Sequence, residues 1–169
     1  MPREQFHQDL QQLQDELLLM ASMSAQAIRR SIKAMQAMDQ DLAREIIDED
    51  AAINEKRFSI EDTCLTLIAT QQPMARDMRL LAGVLEISGE LERIGDYGKG
   101  IGRIVLMMNG QPPLKPLIDI PRMAEIALTM LDRAMDAFVN GDAVHASRIP
   151  AMDDEVDALY NQVYRELLT

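Results

Sequence analysis

Residues 80–110 read LLAGVLEISGELERIGDYGKGIGRIVLMMNG, and this stretch decides the fold. Apolar or small side chains recur at Leu80, Val84, Ile87, Leu91, Ile94, Gly98, Ile101, Val105 and Met108, alternately three and four residues apart. That spacing keeps them on one stripe of a helix, and a stripe of this length needs neighbouring helices to cover it. The pattern stops at Asn109-Gly110, a pair that tolerates the left-handed backbone of a helix end, and Pro112, Pro113 and Pro116 then make a stiff linker.

Towards the N-terminus the same alternation appears at Leu10, Leu13, Leu17, Met20, Ser24, Ala27, Ser31, Ala34 and Met38, the seam of a long first helix whose small residues admit a close neighbour. Asp39 offers a capping side chain to a second helix with its own pattern: Leu42, Ile46, Ile53, Ile60, Cys64 and Leu67. Pro73 is predicted in the first turn of the third helix, where a missing N–H costs nothing. Beyond the linker a fourth helix is predicted from about Asp119 to Asn140. A fifth is capped by Asp142 and kinked or restarted by Pro150.

A shift of 103 positions overlays the first half on the second without a gap. Arg30 meets Arg133, Ala34 meets Ala137, Asp39 meets Asp142, Ala43 meets Ala146, Ile46 meets Ile149, Asp50 meets Asp153 and Ile53 meets Val156. A helix–Asp–helix unit is therefore used twice. The expectation is an all-α fold of tandem antiparallel three-helix bundles, with up-down helices as in spectrin. Residues 1–110 form the first unit, 111–118 the linker, and 119–169 the first two helices of a second, incomplete unit. In that register Thr169 corresponds to Thr66, so the apolar face of Val156, Leu159, Val163 and Leu167 is expected to lack a covering helix. Burial of Leu159 and Val163 within the chain's own fold would count against that idea.

Composition agrees. Apolar residues make up 47% of 169, enough for a core, whereas aromatic residues are only 4% and Met reaches 13, which suits helix packing. The formal charge of −11, from 28 acids against 17 Lys and Arg, excludes the basic surface that a nucleic-acid binder needs. The start of the chain carries no apolar signal segment, and no run is long enough to cross a bilayer, so a cytoplasmic location without membrane insertion is expected. The lone Cys64 forms no internal disulfide and falls on the core stripe.

Three features could carry chemistry. Glu92 and Asp96 stand one turn apart, one position past Leu91 and past Ile94–Gly95 of the apolar stripe, and repel unless something positive lies between them. Asp50 and Asn54 make a matching pair on the second helix, and Asp153 and Asp157 repeat it in the second half. If adjacent shoulders face one another, carboxylates and carboxamides converge into a site for a hard cation or iron, with Arg93 as a less specific neutraliser. The plainer reading is a solvated acidic stripe. Six glycines (Gly83, Gly89, Gly95, Gly98, Gly100 and Gly102) crowd the third helix although each costs about 1 kcal/mol against Ala, which suggests close backbone contact. A rival metal-storage or di-iron reading rests on Glu4-x-x-His7 and Asp142-x-x-His145, but both pairs fall in first helical turns, where caps belong. No phosphate-binding loop, no nucleophile beside a His and no Cys–His zinc spacing is found, so an enzyme is not expected.

The segment Gln71-Gln72-Pro73-Met74-Ala75-Arg76-Asp77-Met78-Arg79, followed by Leu91-Glu92-Arg93-Ile94-Gly95-Asp96, resembles the PhoU family of bacterial phosphate-signalling regulators. In that family a proline-led "QQPxAxDxR" segment precedes "LERIGD" on the third helix of each three-helix repeat. The resemblance implies a non-enzymatic negative regulator of phosphate uptake. Its expected partners are the ATPase subunit of the high-affinity phosphate ABC transporter, the sensor histidine kinase of the phosphate regulon, and a second copy as homodimer. It also implies metal on Glu92 and Asp96 with Asp50 opposite, and on Asp153 with Asp157, the metal being iron, zinc or another divalent or trivalent cation. Asn54 stands where an acid is usual, and the second "LERIGD"-type helix is missing.

Overall fold

In a computed structural model, which describes residues 2–168 and the side chains of 4–168, the chain is helical throughout. Three long helices come first: α1 (Pro2–Ala37), α2 (Gln40–Gln71) and α3 (Ala75–Met108). After the linker come α4 (Asp119–Asn140), a single turn α5 (Ala143–Ala146), a 3-10 turn (Ile149–Met152) and α6 (Asp153–Leu167). No strand occurs among the described residues.

Local chemistry sets the boundaries. The Asp39 carboxylate accepts the Leu42 backbone N–H at 3.0 Å and starts α2. At its far end Gln72 adopts a left-handed conformation (φ 45°) ahead of Pro73, which disfavours a helical residue before it. Met74 is the N-cap of α3, so Pro73 lies in the extended connector and not in the first turn as predicted. Asn109 and Gly110 both take positive φ and close α3. Gly141, also at positive φ, ends α4, and the Asp142 carboxylate accepts the His145 backbone N–H at 2.8 Å. The helix that follows Asp142 is interrupted: α5 closes at Ala146, and α6 begins only after Pro150 has passed through the 3-10 turn.

α1, α2 and α3 pack on one another around a core that holds Leu13, Leu17, Met20, Ile60, Cys64, Leu81, Val84 and Leu91. A smaller cluster at the other end joins Ala34, Ala43, Ile46 and Val105, and the linker's Leu117 with Ile120 packs on it. The buried positions of α3 are Leu81, Val84, Ser88, Leu91, Gly95, Gly98, Gly102 and Val105. Half of the expected stripe is thus replaced: Leu80, Ile87, Ile94 and Ile101 are only part-buried, and small residues take the centre. The reason is helix proximity. A Cβ at Gly98 would lie 2.9 Å from the Ala27 carbonyl carbon, and one at Gly95 would lie 2.8 Å from Ile53 Cδ1.

The linker returns α4 to α1, where Met135 joins the main core beside Ala21, and Arg29 and Asp132 approach to 3.9 Å. α6 packs on α4. Leu159 is buried at 9% exposure and Val163 is half-buried, whereas Leu167 is 59% exposed. The face expected to be uncovered is therefore partly covered by α4 and by the linker around Leu117 and Ile118, which line a recess with Val163.

Candidate functional site

The acidic shoulders of α2 and α3 do meet, and each meets a basic side chain. Asp50 is the only buried charged residue among those described, at 4% exposure. Burying an unpaired carboxylate would be prohibitive, so a partner must reach it. Lys99, one turn beyond Asp96 on α3, places its Nζ 2.5 Å from Asp50 Oδ2 and 3.9 Å from Asp96 Oδ1. Asn54 Nδ2 donates to the same Asp50 Oδ2 at 3.1 Å and to the Asp50 backbone carbonyl at 3.2 Å. Asp50 and Asp96 thus share one ammonium group, and Asn54 donates to the same Asp50 oxygen.

Glu92 takes a different partner. Its Oε2 accepts from Arg57 Nη1 at 2.8 Å, while Arg57 Nε donates to Glu61 Oε1 at 2.8 Å. The hydrogen bond to Glu61 and the charges of Glu61 and Glu92 hold the guanidinium above its ordinary pKa, against a smaller opposing effect of burial. The neutraliser expected from sequence, Arg93, instead turns to Glu90 at 3.3 Å on the exposed side of α3.

The structure therefore brings together Asp50, Asn54 and Asp96 but not Glu92. Sequence reading missed the two residues that organise the site, Lys99 and Arg57. Their signal was a basic residue three positions after Asp96 and another four before Glu61.

In the second half Asp153 and Asp157 are exposed, with Asp153 in the acidic first turn of α6. Acids there complement the positive end of the helix dipole, a structural role available without any cation. Asp142, proposed with His145 as a metal pair, directs its Oδ1 to the His145 backbone as a cap.

Along the α1–α2 face, beside Asp50, runs an open groove of about 330 Å³ lined by Met23, Ala27, Ile46 and Ile53, with Arg30 and Glu49 paired at its rim.

These residues do not fit a metal ion as they stand. Oxygen-bound cations sit about 2.0–2.6 Å from their ligands. Lys99 Nζ already occupies that distance from Asp50 Oδ2. Among the described residues no group of three or more His, Cys, Asp or Glu is placed to hold a metal. No described helix is long and apolar enough to cross a membrane.

The PhoU domain family matches residues 17–105 and 120–169. The phosphate-specific transport system accessory protein PhoU homolog of Aquifex aeolicus (strain VF5) is 34% identical over 161 residues, 95% of this chain and 73% of the relative. The Escherichia coli (strain K12) accessory protein PhoU is 33% identical over 165 residues, 98% of this chain and 68% of the relative. Among solved structures, the phosphate transport system regulatory protein PhoU from Streptococcus pneumoniae superposes with a TM-score of 0.88 at 27% identity, covering 96% of this chain and 77% of that one. PhoU from Pseudomonas aeruginosa gives 0.88 and 27%, covering 96% and 78%. With both repeats matched and the helices superposing on solved members, this chain belongs to the PhoU family.

Proposed function

We propose that this chain is a regulatory accessory of a phosphate-specific transport system. It acts without catalysis as a cytoplasmic adaptor that restrains uptake and phosphate-starvation signalling. The observation that carries the reading is the span of the family match, which covers the helix–cap–helix unit in both halves. The relatives named for phosphate-specific transport align over nearly the whole chain. The partners are the transporter's ATPase subunit and a sensor histidine kinase. A net charge of −11 on exposed helix faces favours basic patches on those partners and repels nucleic acid. A second copy of the chain is a further partner.

The test is co-purification of the tagged protein with the ATPase subunit and with the kinase's cytoplasmic portion, alongside deletion of the gene. Binding to at least one partner that weakens with rising salt, together with expression of starvation genes in phosphate-rich medium after deletion, is the expected result. Failure to bind either, with normal repression in the deletion strain, would end the proposal.

A further inference from the structure

We propose that Lys99 is a resident cation that occupies the position of a metal ion between α2 and α3, making this acidic shoulder independent of metal. Contact argues for it first. The Lys99 ammonium donates to Asp50 Oδ2, so a metal ion bound at that oxygen would have to displace it. Burial argues next. The Asp50 side chain is 5% exposed and that of Lys99 is 23% exposed, so the pair is shielded where a flexible surface lysine would not stay.

Charge completes the case. A divalent or trivalent ion matches a cluster of three or four carboxylates, whereas Asp50 and Asp96 present two and Asn54 contributes none. One ammonium, with a hydrogen bond from the Asn54 amide to the same Asp50 oxygen, suits this reduced charge. The neutral residue at 54 and the basic residue at 99 thus both donate to the one buried carboxylate oxygen. Arg57 does the same for Glu92, one turn along α3. The packing of α2 against α3, and any surface that depends on it, then persists when metals are withdrawn.

The experiment uses the purified full chain and Mn²⁺ as probe, read by calorimetric titration and by thermal unfolding with and without EDTA. The wild-type protein should melt at the same temperature in both conditions and show no Mn²⁺ binding that Asp50→Asn or Asp96→Asn removes. Lys99→Ser should lower the melting temperature by roughly 10 °C, because Asp50 is left buried and unpaired. It should regain part of that loss in Mn²⁺, and lose the regain when Asp96→Asn is added. If Lys99→Ser does not fold, the uncharged pair Lys99→Met with Asp50→Asn should restore folding. Stoichiometric Mn²⁺ on the wild type that depends on Asp50 would overturn the proposal. So would an unchanged melting temperature for Lys99→Ser, a destabilised Lys99→Ser without a Mn²⁺ response, or a double variant that stays unfolded.

Discussion

Replacing Gly98 with Ala adds one methyl group at the closest approach of α1 and α3, and the structure fixes what that methyl meets. It would lie 2.9 Å from both the carbonyl carbon and the Cβ of Ala27, and 3.1 Å from the Ala27 oxygen. Carbon atoms rest about 3.5–4.0 Å apart, so the helices must separate by roughly 0.5–1 Å along a buried seam. Two of the three blocking atoms are backbone and cannot rotate away. Overpacking of this kind costs about 1–3 kcal/mol, while Ala gains about 1 kcal/mol over Gly in helix propensity. Gly89 removes that second effect from the comparison, because nothing lies within 4 Å of its notional Cβ. Gly89→Ala should therefore stabilise by about 0.5–1 kcal/mol. The difference between the two variants is then the packing cost alone, about 1–3 kcal/mol, or roughly 2–12 °C in melting temperature for a chain of this size. Urea unfolding followed by far-UV circular dichroism measures it, provided both variants keep the wild-type m-value. A Gly98→Ala protein as stable as Gly89→Ala would show that the helices are not in contact at Ala27, and the account of the glycine-lined seam would fail.

Leu91 is 1% exposed in the main core, so Leu91→Ala should cost about 2–5 kcal/mol in the same urea experiment, against little change for the exposed Tyr97→Ala. Ser24 Oγ donates to the Leu91 carbonyl at 2.7 Å across the α1–α3 interface, so Ser24→Ala should lose about 0.5–1.5 kcal/mol. Ser88→Ala should lose less, because its hydroxyl bonds within its own helix. Burial pushes the Cys64 thiol up from 9.0 to about 11, with Glu61 adding to the shift. The folded state thus favours the neutral thiol, and that contribution to stability is intact below pH 9 and lost as pH rises towards 11. A disulfide reagent at neutral pH should label Cys64 only as fast as the bundle opens, and labelling at the rate of a free small thiol would contradict its burial.

The first four helices and the caps were legible in the sequence because they depend on short-range chemistry, whereas the expected fifth helix is split into α5, a 3-10 turn and α6. Asp39 and Asp142 cap as expected, and Asn109-Gly110 ends α3. The interior of α3 was only half legible. Hydrophobic periodicity identifies Val84, Leu91 and Val105, but it passes over the buried Ser88, and over Gly95 and Gly102, where α2 comes too near for anything larger. The excess of glycine did signal such contact, and periodicity set Gly98 on the stripe apart from Gly89 and Gly100, which have open space, but it gave no sign that Gly95 and Gly102 lie against α2. Lys99 was invisible for a related reason. Its function depends on reaching Asp50, 49 positions away, and no local pattern marks a lysine that crosses between helices.

The repeat shows why identical acidic spacing has opposite consequences in the two halves. Under the shift of 103, Arg30 pairs with Glu49 in the first unit, and Arg133 meets Met152, the counterpart of Glu49, at 3.4 Å in the second. The first two helices of each unit therefore pack in the same register, and Ile46 and Ile149 are buried alike. Divergence begins where α3 contributes. Ile47 packs against the space beside Gly102 of α3, and its counterpart is Pro150, which is exposed and breaks the helix. Asp50 is sealed by Lys99 of α3, whereas its counterpart Asp153 faces solvent. The aspartate that opens the i, i+4 pair therefore acquires its character from the helix that lies across from it. In the first unit that helix supplies Lys99, three positions past the "LERIGD" aspartate, and the buried Asp50 is balanced by protein.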